Sequence, residues 1–197
     1  MLEGRQRLIG ALDRFAIPFR GQRVLILGAG VSAAAIGVAL AEGGTVDGAE
    51  YIAFYDSSAG KAAGVAAKLD AFFDARVVAV DSNAPEGYDL IVNATPLGLA
   101  EDDAPPVDVA RMDGHAALFD ILLRNQPTPL VRAARARGIN APAGFEMLIQ
   151  QMPHYFDYFG HADAVAALRA DSDFLREIVY PDAMRAEIAT PLRYGAA

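Results

Sequence analysis

The sequence predicts an α/β protein: a doubly wound parallel sheet, three layers deep, with extra helices at its N- and C-terminal ends. Three observations predict it. Short, continuous apolar runs recur from Val24 onward, too short for helices and rich in β-branched or aromatic residues, as strands buried on both faces are. Segments of helical composition alternate with those runs, the order that βαβ units impose. The first run also passes straight into a glycine-rich turn that opens a helix.

Residues 1–20 read as one amphipathic helix, with Leu8, Ile9, Leu12 and Phe15 on its apolar face, ending before Pro18. The strand runs are Val24–Leu27, Tyr51–Tyr55, Val77–Val80, Leu90–Val92 and Ala117–Phe119. Helical segments fall at Ser32–Ala41, Gly60–Phe72 and Thr128–Arg137. The last has Thr128 as N-cap, Pro129 in the first helical position and Gly138 just past the end. Gly43–Glu50 reads as a lengthened loop before the second strand, and an Ala- and charge-rich tail carries two short helices, about Ala162–Ala170 and Ser172–Val179. The expected organisation is an N-terminal helix (1–20), a central α/β domain (21–160) and a helical tail (161–197), with strand order 3-2-1-4-5-6. Both end segments carry apolar faces, which either fold back on the sheet or meet a second copy in a homodimer.

Composition excludes several classes. The 25 acidic against 17 basic residues leave a net charge of −8, which repels phosphate backbones and anionic lipid, so no nucleic acid and no membrane surface is expected as a partner. A hydrophobic fraction of 53% is enough to bury a core. With no cysteine, disulfides, thiolate metal sites and Cys nucleophiles are out, and His115, His154 and His161 lack metal-ligand spacing, so no metal is expected. Met1-Leu2-Glu3-Gly4-Arg5 is not a signal peptide's start, and no apolar run spans a bilayer; the expectation is a cytoplasmic protein.

Gly28-Ala29-Gly30-Val31-Ser32-Ala33 fits the G-x-G-x-x-G/A fingerprint of Rossmann-type dinucleotide-binding domains. Gly28 permits the tight turn, Gly30 lets backbone approach a pyrophosphate, and Ala33 allows close helix–strand packing. The helix start then offers unpaired N–H groups to the phosphates. Asp56, with Ser57 beside it, ends the second strand, where a carboxylate can accept hydrogen bonds from ribose hydroxyls. The alternatives are a glycine turn that only joins strand to helix and an Asp that only caps the next turn. Gly60-Lys61 is not a P-loop, because the upstream Gly and the following Ser/Thr are missing.

Further along stand Asn93-Ala94-Thr95-Pro96-Leu97-Gly98, then Thr128-Pro129-Leu130, then Gly144-Phe145-Glu146-Met147-Leu148-Ile149-Gln150-Gln151. With the glycine turn, these segments resemble the cofactor-binding domain of the shikimate/quinate dehydrogenase family over about residues 1 to 160. The resemblance implies an oxidoreductase moving hydride between a nicotinamide cofactor and a cyclic polyhydroxy acid, a small-molecule substrate. It also implies that Asn93, Ala94, Thr95 and Pro96 run along ribose and nicotinamide, that Gly144 and Met147 line the nicotinamide, and that Gln151 reaches the substrate's hydroxyls. Met147 and Gln151, four apart, share one helix face. The bland alternative makes Met147 core and Gln151 a solvated side chain.

The sequence also departs from that family. The family's catalytic Lys belongs to a first domain, and this chain begins about where that domain ends. The catalytic base is therefore unknown, with Glu3, at the family's Asn-Thr-Asp position, as the one candidate. The family's Tyr and Pro after the fifth strand are replaced by Leu122-Leu123-Arg124-Asn125, and Pro153 is expected to kink or restart its helix. Where NADP-using members carry Asn-Arg-Thr, this chain has Asp56-Ser57-Ser58, so NAD is expected to be preferred over NADP. The competing reading is a non-catalytic or incomplete dinucleotide-binding module.

Overall fold

The computed structural model describes residues 2–189, and of residues 2–7, Thr45 and Ala189 the backbone alone. In chain order the elements are α1 (Leu2–Arg14), β1 (Arg23–Leu27), α2 (Val31–Ala41), α3 (Gly44–Asp47), β2 (Tyr51–Tyr55), α4 (Ala59–Phe72), β3 (Arg76–Ala79), β4 (Leu90–Asn93), β5 (Ala117–Asp120), α5 (Pro129–Ala136), α6 (Phe145–Tyr158), α7 (Ala162–Ala170), α8 (Asp173–Val179) and α9 (Ala186–Ala189). The apolar runs become a wholly parallel sheet of order β3-β2-β1-β4-β5. That is a Rossmann-like α/β fold.

The sixth strand of the expected order does not form. Its place holds a single parallel bridge from Asn140 to Ala117, in which the Asn140 carbonyl accepts from the Leu118 N–H at 2.9 Å. Pro142 follows two residues on, and a residue without an N–H cannot extend a ladder. The lengthened loop before β2 also differs from expectation, since its first half winds into the one-turn helix α3.

Helices cover both faces. On one, Leu8, Ala11 and Leu12 of α1 and Phe15 just past its end join α2, α4 and the strand residues Val24, Ile26, Ile52 and Phe54 in a single cluster. On the other, Leu25, Leu27 and Leu118 meet Leu130, Val131 and Ala134 of α5. α1 ends at Arg14, short of Pro18, because Ala16 turns into the left-handed region at φ 52° and the chain folds inward to bury Ile17 and Phe19.

The end segments fold back. α1 lies on α2 and α6, and the tail lies on α6, where Phe145 and Ile149 meet Tyr180 and Met184. α6 runs through Pro153 without restarting, contrary to one of the two expected outcomes, and Gly160 (φ 77°) turns the chain out after it. Residues 190–197, the end of the expected tail, lie outside the described residues. Among those described, no helix is long and apolar enough to cross a membrane.

Candidate cofactor cleft

Register decides where the site sits. Leu27, Tyr55 and Asn93 are cross-strand partners at the carboxyl ends of β1, β2 and β4, and Asp120 of β5 pairs with Asn93. Ligands of open α/β sheets bind just beyond such ends. Here three adjoining cavities of about 480, 510 and 340 Å³ form one cleft. The first is walled by Gly28, Ala29, Gly30, Asp56, Ser57 and Lys61. It shares Ala94, Thr95 and Pro96 with the second, which shares Ser32, Ile121 and Leu123 with the third. Met147, Leu148 and Gln151 of α6 close the far end, with Val31 at the rim.

Gly28 has φ 99°, and a Cβ there would stand 2.9 Å from the Ala94 carbonyl oxygen, so the turn needs glycine twice over. At Gly30 a Cβ would meet nothing within 4 Å. The first turn of α2 has no side-chain cap bond, and Val31 beside it is 90% exposed. A turn open at Gly30, with free N–H groups behind it, fits a phosphate group. Ala33 is fully buried behind the turn.

Asp56 acts within the turn. One carboxylate oxygen accepts from the Ala29 N–H at 2.9 Å and the other from the Ser58 N–H at 2.8 Å, tying the glycine turn to the start of α4. Lys61, on the first turn of α4, is exposed and lines the same cavity.

Asn93 is fully buried and shapes the cleft from behind. Its Oδ1 accepts from the Thr95 N–H at 3.1 Å and hydroxyl at 2.7 Å, while its Nδ2 donates to the Leu97 carbonyl at 3.2 Å and to Asp120 at 3.1 Å. Asp120, also fully buried, accepts from the Thr128 hydroxyl at 2.7 Å, and that same oxygen of Thr128 caps α5 by accepting from the Val131 N–H. Outside this network, Asp103 holds the rest of the loop by accepting from the Gly98 and Ala100 N–H groups at 2.8 and 3.0 Å. From sequence, Asp103 belongs to an acidic run that reads as a solvated turn, and Asp120 falls in no motif. A signal was present for Asp120: like Asn93, it is a polar residue directly after a buried apolar run, and register places the two side by side.

Burial pushes the Asp120 carboxyl above its ordinary value of 3.8, against the lowering pull of Thr128, Leu122 and Asn93. Between the ordinary and the raised value the folded chain holds a proton that the unfolded chain has lost. Stability from this group therefore falls as pH rises through that window. Denaturant titrations of the wild type and Asp120→Asn from about pH 3 to pH 7 are expected to show the wild type losing ground to the variant as pH rises. A flat or opposite trend refutes that assignment.

At the other end, Gly144 is buried where a Cβ would lie 2.4 Å from the Asp120 carbonyl and 2.5 Å from that of Leu122. Its role is close backbone approach, which sets where α6 begins. Met147 is half-buried, and Gln151 donates from its amide to the Tyr155 hydroxyl. The side chain of Glu3 lies outside the described residues; its backbone falls in α1.

No family model matches the chain. Among curated proteins it is 34% identical over 151 residues to a shikimate dehydrogenase (NADP(+)) of Methanocella arvoryzae, covering 76% of this chain and 54% of that protein. The chain is homologous to the shikimate dehydrogenases. It spans about half the length of the curated relatives it matches. Solved structures agree: a shikimate 5-dehydrogenase of Thermus thermophilus, in complex with NADP(H) and shikimate, has TM-score 0.67 at 26% identity, over 85% of this chain and 62% of that one. A ligand-free 5-ketofructose reductase of Gluconobacter has TM-score 0.69 at 29% identity, over 79% and 56%.

One expectation from the shikimate dehydrogenase resemblance is overturned. The curated relatives are named as NADP(+) enzymes, so the expected preference for NAD does not hold. That expectation rests on Asp56-Ser57-Ser58 standing where NADP-using members carry Asn-Arg-Thr, with the Asp56 carboxylate free to meet ribose hydroxyls. In the structure both Asp56 oxygens accept backbone N–H groups, and Lys61 lines the same cavity.

Proposed function

We propose that this chain forms the NADP-binding part of a shikimate dehydrogenase-type oxidoreductase, acting on a cyclic hydroxy acid of shikimate or quinate kind. The observation that carries it is the single cleft running across the strand ends from Asp56 and Lys61 to Met147 and Gln151. In this reading Gly28–Ala33 hold the pyrophosphate on backbone N–H groups, and Lys61 faces the 2′-phosphate. Ala94, Thr95 and Pro96, shaped from behind by Asn93, support the ribose and nicotinamide, Met147 backs the nicotinamide, and Gln151 orients substrate hydroxyls. The cofactor, when bound, supplies the hydride acceptor or donor. The proposed division is an N-terminal segment (1–20) that carries α1, a cofactor domain (21–160) and a tail (161–197).

Apart from Ser32 and Gln151, the described lining of the Met147 end is apolar. In this reading the proton-transferring group reaches the substrate from outside that described lining. The 197-residue chain alone is expected to bind NADP in calorimetric titration yet oxidise shikimate or quinate slowly or not at all. Ordinary dehydrogenase turnover by the chain alone would place the base within it, and absence of NADP binding would sink the reading.

Lys61 carries a sharper test. Lys61→Ala is expected to weaken NADP about five- to tenfold, about 1–1.4 kcal/mol for one exposed charged contact, and to leave NAD within about twofold. Equal effects on both cofactors would remove Lys61 from the phosphate site.

A further inference from the structure

A buried ionic cluster lies behind the cleft. Glu146, fully buried on α6, receives the Arg176 guanidinium of α8 on both oxygens, with Nε on Oε2 at 3.1 Å and Nη2 on Oε1. Arg14 of α1 reaches Oε2 at 3.4 Å, and Gln150 donates to Oε1 at 2.8 Å. Arg176 is itself only 3% exposed and is held in place by Ser172 and Asp173 at 2.8 and 2.7 Å. Nearby, Glu187 of α9 takes Arg135 of α5 on both oxygens, and the Ile188 carbonyl accepts from Arg14.

Stability alone is a poor reason for such a pair. Two charges taken from water are repaid only by near-ideal geometry, and an apolar pair of similar volume is often as stable or more so. What the pair adds is direction, because a planar fork on a carboxylate fixes both partners in angle and distance. Glu146 and Gln150 are the immediate chain neighbours of Met147 and Gln151, on the same two turns of α6. α6 also lacks a side-chain cap, and Pro153 leaves the Ile149 carbonyl without its helical partner N–H. The helix that walls the cleft is thus weakly fixed by its own hydrogen bonds just where the cluster grips it.

We propose that Arg176, clamped on Glu146, is a positioning residue for the Met147–Gln151 wall, so that ligand affinity at this end of the cleft is set by the segment 172–189. The inference rests on the reading that the cleft holds NADP.

The test is the double variant Glu146→Met/Arg176→Met in the full chain, which keeps volume and removes direction. Titration with NADP is compared with 2′,5′-ADP, which fills only the Lys61 end. At unchanged circular dichroism, NADP affinity is expected to fall about tenfold or more while 2′,5′-ADP stays within about twofold. Equal changes for both ligands, or none, overturn the proposal. Should the double variant not fold, the same ratio is read on Arg176→Lys, which keeps the charge and loses the fork, with the same two outcomes. A wild-type chain binding neither ligand fails the NADP reading instead. Amide hydrogen exchange then decides the clamp: it must quicken at 147–151 in the variant with 93–98 unchanged, and a uniform change overturns it.

Discussion

Gly144→Ala is expected to lower stability by ~3 kcal/mol, a fall in melting temperature of roughly 6–12 °C for a domain of this size. The added methyl would sit 2.4 and 2.5 Å from the carbonyls of Asp120 and Leu122. Both are backbone atoms, one in β5 where Asp120 pairs with β4 and one two residues beyond it, and neither can swing aside as a side-chain tip could. Relief must come from moving the start of α6, so cofactor affinity is expected to fall as well. Gly64→Ala serves as the control, because that Cβ would meet nothing within 4 Å on an exposed turn of α4. There the helix gains about 0.5–1 kcal/mol from the lost glycine flexibility. Thermal melts of the two variants should move in opposite directions, and a Gly144→Ala melt within 1–2 °C (about 0.5 kcal/mol) of wild type would refute the close approach.

Glu146→Gln should be at least as damaging, at about 3–5 kcal/mol. The amide keeps the shape and removes the charge, leaving the Arg176 guanidinium buried with Asp173 as its remaining carboxylate partner. A buried charge that has lost its buried partner is far costlier than an exchanged pair, so the single variant should unfold well before the double Met variant does. Glu146 and Asp173 hold the Arg176 guanidinium above its ordinary pKa, against desolvation, the largest influence on it. Urea unfolding decides it, and a loss under about 1 kcal/mol would mean that water reaches Arg176.

The sheet was legible because its evidence is local. Apolar runs of three to five residues between helical segments leave few other folds, and the order of the first five strands follows from right-handed crossovers. The glycine turn was legible for the same reason: its constraint lies in backbone geometry that only Gly28 tolerates. Long-range polar pairing was not. Nothing near Glu146 in the sequence announces Arg176, 30 residues on, and nothing near Asp56 says that its oxygens are taken by Ala29 and Ser58. The cofactor preference failed at this point. The Asp56 carboxylate is already engaged by the backbone, and Lys61, one helical turn further along the chain, lines the same cavity. The close approach of Gly144 to the Asp120 and Leu122 carbonyls was equally out of reach, since it depends on where the end of β5 meets the start of α6.

The chain of side chains from Thr95 through Asn93 and Asp120 to Thr128 has an entropic consequence. Ligand-contacting loops usually belong to the least stable parts of a fold and must be ordered when the ligand arrives. Here the loop after β4 is anchored to two fully buried residues, and one of them is bonded to the hydroxyl that starts α5. The loop can come loose only by exposing that pair, which means opening the sheet edge and unwinding the first turn of a helix. It is in effect a rigid floor, fixed before any ligand binds. The ordering that binding demands is confined to the opposite walls, the Asp56–Lys61 turn and α6.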